Sequence, residues 1–168
     1  MSRGLVVLCL AVFAFLALPV AGAFACAGDG ARPGTVAYSR AVQCLVNQQR
    51  AAAGLSALSH DRRLARAARR FSNSMVRERF FDHVSPSGST LGSRAQAAGY
   101  SGGTLGETIG WGAGTLATPS SIVQGWMNSP PHRAILLDGD FRKIGLGVAA
   151  GSPEGIAEAA TVTADFGG

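Results

Sequence analysis

The sequence predicts an α+β domain, with helices first and a β-hairpin last. Apolar residues recur at three- and four-residue steps through the first half, and two extended runs flank a turn-rich pentapeptide near the end. No regular strand-helix alternation appears, which disfavours a doubly wound sheet, and no repeat, low-complexity tract or second domain interrupts the chain.

Ahead of the domain, Arg3 precedes an apolar run from Leu5 to Leu18, then Pro19 and the small-residue stretch Ala23-Phe24-Ala25. This is the layout of a signal peptide, and its apolar core is shorter than the ~20 residues a membrane-spanning helix needs. Cleavage is expected after Ala25, with Ala23 the second choice. Residues 1-25 are thus read as an export signal and 26-168 as one domain, with 26-35 an N-terminal tail. The mature protein is expected to be secreted, monomeric and without a transmembrane segment.

From Val36 to Ala53, Val42, Leu45, Val46, Gln49 and the alanines 52 and 53 fall near helical spacing, with Gly54 as the stop. Asp61 is placed to cap a second helix, whose Leu64, Ala67, Ala68, Phe71 and Met75 form a core-facing stripe. The turn residues from Ser85 to Thr90 lead into a short helical piece that ends at Ala98, before Gly99. Leu105 to Trp111 reads as a short buried strand weakened by Gly106 and Gly110. Pro119 opens a helix with Ile122, Val123, Trp126 and Met127 on one face, and Pro130-Pro131 ends it near Ser129. The closing strands are read at Phe141 to Ala150 and Ile156 to Phe166, joined through residues 151-155. In the second, Ala160, Val162 and Ala164 alternate with Thr161, Thr163 and Asp165, the pattern of a half-buried strand.

Cys9 lies in the removed segment, so export leaves Cys26 and Cys44 as a pair. A disulfide is the default in an oxidising compartment. A lipid anchor on Cys26 or two free thiols are the alternatives, although residues 23-25 lack the leucine and small-residue pattern of lipoprotein processing.

The formal charge is +5, and Lys143 is the only lysine. Arg62, Arg63, Arg66, Arg69, Arg70, Arg77 and Arg79 all fall in the second helix region, mostly off its apolar stripe. That pattern describes a solvated helix face. Export argues against nucleic acid, and attraction to anionic wall polymers or lipid headgroups is left open.

Four motifs take the reading further: FFDHVSP at 80-86, GETIGWG at 106-112, WMNSPPHRAIL at 126-136, and the closing TVTADFG. In this order, and with NQQRAAAGLSAL at 47-58, the chain resembles the CAP superfamily of cysteine-rich secretory, antigen 5 and pathogenesis-related class one proteins, in its bacterial branch. The resemblance covers essentially the whole domain. It implies an α-β-α sandwich around a central antiparallel sheet, with a cleft carrying two histidines and two glutamates. By position, His83 and His132 match the histidines and Glu107 the first glutamate. The second acid is missing, and Ser129 stands in its place.

Two imidazoles and a carboxylate in one cleft can bind a divalent cation or pass protons. Neutral imidazole suits zinc, and a carboxylate on the far ring nitrogen orients it. His83, His132 and Glu107 are therefore the candidate metal ligands and the candidate catalytic groups, with Glu107 either a third ligand or the orienting partner. Weak, exchangeable binding of Zn²⁺ or another divalent cation is expected. His60 is read as an ordinary loop residue, and Arg133 is a possible contact for an anionic ligand. No metalloprotease histidine pair, glycine-flanked nucleophilic serine or phosphate loop is present.

The expected function is an extracellular ligand-binding or cell-envelope interaction domain, with a lipid, peptide or cell-wall component as partner. A metal-assisted hydrolase, with Glu107 activating water, is the rival from the enzyme class. A structural surface or coat protein is the third reading.

Overall fold

The first described helix, α1 (Val36–Ala52), starts where Thr35 accepts a hydrogen bond from the Tyr38 amide, and it buries Tyr38, Val42 and Val46. The structure is a computed structural model that describes residues 26-168, so the export signal read at 1-25 lies outside the described residues. α2 (Arg62–Glu78) begins as the sequence predicts, with the Asp61 carboxylate accepting from the Arg63 and Leu64 amides. Its stripe of Leu64, Ala67, Ala68, Phe71 and Met75 is buried. The helix α3 (Leu91–Ala97) is closed at its start by a reciprocal capping box between Thr90 and Ser93.

Four strands form one sheet in the order β1-β3-β4-β2. They are β1 (Ser59–His60), β2 (Leu105–Ala113), β3 (Lys143–Ala150) and β4 (Ala159–Gly167). β2 and β3 each pair antiparallel with β4, while the two-residue β1, absent from the sequence reading, joins β3 in parallel. The expected antiparallel sheet is thus present with a short parallel edge. α4 (Pro119–Asn128) and α5 (Pro130–Leu136) follow β2 after a 3-10 turn at Gly114–Ala117.

The sheet separates two helical layers. Ile144, Leu146 and Val148 of β3 and the even-numbered residues 160-166 of β4 pack with Tyr38, Val42 and Val46 of α1 and Ile122, Val123 and Trp126 of α4. On the opposite face, Ile109 meets Phe71 and Met75 of α2. α2 lies close to β3 because Gly145 and Gly147 present no side chain there.

The structure revises the reading of β4 and adds to the rest. β4 is buried along its whole length rather than on one face. Its threonines are tolerated because each finds a polar partner: Ser72 of α2 donates to Thr163 Oγ1 at 2.8 Å, and Thr161 donates to the Gly151 carbonyl at 2.8 Å. It also begins at Ala159, not Ile156. The Pro130-Pro131 pair ends α4 but starts α5, since proline is tolerated in a first helical turn. Finally, Arg50 is wholly buried and donates to the carbonyls of Ser56, Leu136, Asp138 and Phe141, tying α1 to the segment before β3.

Cys26 and Cys44 form a disulfide with a Cα–Cα distance of 5.7 Å, fastening the N-terminal tail to α1. Asp29 holds the same tail to α4 by accepting from Ser120 N and Oγ at 2.8 and 2.9 Å. Removing the disulfide is expected to lower the unfolding free energy by about 3 kcal/mol. Urea unfolding with and without reductant measures this, and an unchanged midpoint would show that the tail docks without it.

Candidate functional site

The site is assembled around Glu107, which β2 presents toward the α2 layer. The chain leaves α2 through Arg79, whose φ of 55° turns it sharply, and passes Phe80 and Phe81 to reach His83. Arg94 of α3 holds this loop by donating to the carbonyls of His83 and Ser89 at 3.0 and 2.9 Å. Its guanidinium lies 3.4 Å from the centre of the Phe71 ring and donates to Glu107 Oε2 at 2.5 Å. Glu107 Oε1 meets His83 Nδ1 at 2.8 Å. Both carboxylate oxygens of this acid are therefore engaged. Because Nδ1 faces a carboxylate, the neutral His83 tautomer carries its proton there and leaves the Nε2 lone pair free.

His132 comes from the opposite helical layer, on α5, and its Nδ1 lies 2.8 Å from Ser129 Oγ. Burial pushes the His132 pKa below the usual histidine value, and the neighbouring His83 lowers it further. The two rings thus share one electrostatic environment. Neither Nε2 makes a hydrogen bond among the described residues.

Behind Glu107 lies Asp165, its partner across the β2–β4 ladder. Burial first, then the Glu107 charge, raises the Asp165 pKa well above the usual carboxylate value, with Arg94 partly opposing. No donor from another described residue reaches either Asp165 oxygen, whereas a protonated Asp165 has Glu107 to donate to.

Beside His132 a cavity of about 350 Å³ runs along β2, walled by Phe81, Trp111, Leu116, Ile122 and Trp126, and its lining contains no charged residue besides His132 if protonated. Phe81 and Leu116 are 44% and 64% exposed, a wet surface that would favour covering by an apolar group.

The structure therefore joins His83 to Glu107 directly, and His132 lies within the reach of the His83 charge. His60 is exposed and lines a different groove, and Arg133 faces a separate surface with Met127 and Pro130. Among the described residues, no group of three or more His, Cys, Asp or Glu is arranged to hold a metal ion. With Glu107 committed at both oxygens, the available donors are two imidazole nitrogens, fewer than the three protein ligands usual for catalytic zinc. Of the two roles open to Glu107, the geometry supports the orienting one. Arg94 and Asp165 were not recognised from sequence. Asp165 lies within the TVTADFG motif, but only strand register places it against Glu107.

The α-β-α sandwich is accompanied by a family match, in which the model of the cysteine-rich secretory protein family covers residues 44–163. The chain belongs to that family. It is 38% identical over 111 residues to YkwD of Bacillus subtilis, and 32% identical over 104 residues to the membrane protein YlbC of the same organism. These stretches cover 66% and 62% of this chain but only 42% and 29% of the relatives. Among solved structures, an extracellular SCP-domain protein of Bacillus anthracis superposes with a TM-score of 0.65 at 30% identity, covering 75% of this chain and 38% of that one. An outer surface protein of Borrelia burgdorferi shares the fold, with a TM-score of 0.66 at 22% identity over 77% of this chain and 90% of that one. No described helix is long and apolar enough to cross a membrane.

Proposed function

We propose that this protein is an extracellular ligand-binding or cell-envelope interaction domain whose cleft takes an uncharged, apolar group beside His83 and His132 and holds a divalent cation weakly. One observation carries this reading: each ring has its Nδ1 fixed, by Glu107 or Ser129, while both Nε2 atoms remain free. Orienting partners of this kind raise imidazole basicity and fix the ring. The disulfide and the extracellular and outer-surface neighbours support a location outside the cell. The hydrolase reading is less well supported, because Arg94 and His83 already hold both Glu107 oxygens and the second acidic position is matched by Ser129.

Zinc titration by calorimetry tests the proposal. Modest affinity is expected, lost in His83→Ala and in His132→Ala. Protons compete with metal for imidazole, so affinity should fall as pH drops from about 7.5 to about 5.5. The depressed pKa of His132 keeps that ring deprotonated further into acid than an ordinary histidine. A chelator should strip the ion without unfolding the domain. Binding that survives both substitutions, or that strengthens in acid, would remove these rings as ligands.

A further inference from the structure

Between positions 62 and 79, seven arginines accompany a single acid, Glu78. The apolar residues of α2 are buried against the sheet, so the guanidinium groups crowd its outer side. Arg62, Arg63, Arg69 and Arg70 are exposed and make no side-chain hydrogen bond or ion pair among the described residues. Like charges spaced along one helix repel, and the single acid, Glu78, pairs with Arg77 and leaves these four unoffset.

The arginines also shape two concave sites on opposite flanks of the helix. Arg62, Arg66 and Arg69 line a groove of about 250 Å³ together with Thr35 and Ser39. Arg70 lines another of about 420 Å³ with Asn73 and Ser74, where Arg77 is paired with Glu78 and Arg94 is turned inward to Glu107, so that Arg70 is the arginine left without a partner there. Neither lining contains an acid. Steps of four and three keep 62, 66 and 69 on one flank, and a step of seven keeps 70 and 77 together. At 1.5 Å per residue, Arg62 and Arg77 are about 22 Å apart along the axis. That distance suits a chain of regularly spaced anions better than a single small one.

The guanidinium fork matches phosphate oxygens in pairs, unlike the point charge of lysine. A lipid surface fits less well, because a helix lying in a bilayer interface must turn an apolar face toward it, whereas α2 turns that face to the core. We propose that the outer face of α2 docks a linear phosphodiester polymer of the cell envelope, a chain of phosphate-linked polyols whose successive phosphates meet the partner-free Arg62, Arg63, Arg69 and Arg70. The partner-free arginines of this face, Arg62, Arg63, Arg69 and Arg70, take no part in the histidine cleft, so the proposal does not depend on the reading given to it.

Poly(glycerol phosphate) serves as the probe, with binding followed by fluorescence anisotropy across a range of salt concentrations. The expected result is saturable binding that weakens linearly in log Kd against log salt. The triple variant R62Q/R69Q/R70Q removes only exposed side chains without partners, so circular dichroism should show it folded. It is expected to bind at least about tenfold more weakly at low salt, with the slope reduced by about two for three lost charges. His83→Ala should bind as the wild type does, which separates this site from the cleft. Vesicles of phosphatidylglycerol, which carry the same phosphate chemistry in a bilayer, should bind more weakly than the polymer. Absence of saturable polymer binding, an unchanged Kd in the triple variant, or vesicle binding as tight as polymer binding would each overturn the proposal.

Discussion

Replacing Glu107 with alanine is expected to cost about 3–5 kcal/mol of folding stability, since it removes one partner of a buried ion pair. The Arg94 and Glu107 side chains are only 9% and 3% exposed, so the guanidinium left behind cannot recover its hydration without local opening. Its remaining bonds go to the carbonyls of His83 and Ser89, and so the strain should fall on the loop that carries the first histidine. Glu107→Gln retains an acceptor for Arg94 and should lose less. Urea midpoints of the two variants, with zinc affinity measured alongside, separate stability from positioning. A Glu107→Ala protein within about 1 kcal/mol of wild type, the worth of an exposed pair, would show that Arg94 reaches solvent after all.

The second large effect is expected at Gly147. A Cβ there would sit 2.1 Å from the Ala68 carbonyl carbon and 2.2 Å from the Arg69 nitrogen. Those are backbone atoms of α2 and have no rotamer with which to give way. Gly147→Ala must therefore lift the helix from β3, at a cost of about 4 kcal/mol or more, in the tail of single-substitution effects. Gly125→Ala is the control, because a Cβ at that helical position meets nothing within 4 Å. It should be neutral or slightly stabilising, by up to about 1 kcal/mol, as alanine favours helix over glycine. Comparable melting temperatures for the two variants would mean that α2 can shift away from β3 at little cost.

The ease with which each element was legible follows from where its signal lies. The frame of α2 was plain because capping by Asp61 and a stripe from Leu64 to Met75 are local properties of the chain. β4 was recognised as a strand, but Thr163 looked solvent-facing because its partner, Ser72, is supplied by a helix distant in sequence. Arg50 was hidden for the same reason, since its carbonyl acceptors at Leu136, Asp138 and Phe141 lie far along the chain. His83, Glu107 and His132 became legible only through the order of the motifs around them. Arg94 belongs to no such motif, and it acquires meaning only when the register of β2 brings Glu107 beneath it.

The strand order places β4, last of the four in sequence, between β3 and β2, so both long ladders wait for one late segment. A nascent chain grows from its N-terminus, and α1, α2 and β2 are all synthesised before the strand that must separate their layers. Until then Ile109 and the apolar stripe of α2 can associate only loosely, without the central platform. Contacts between segments so distant in sequence make for slow, high-contact-order folding. A fragment ending before Ala159 should consequently be not a smaller domain but an open chain, with its helices lacking a common floor and β2 lacking any partner on either side.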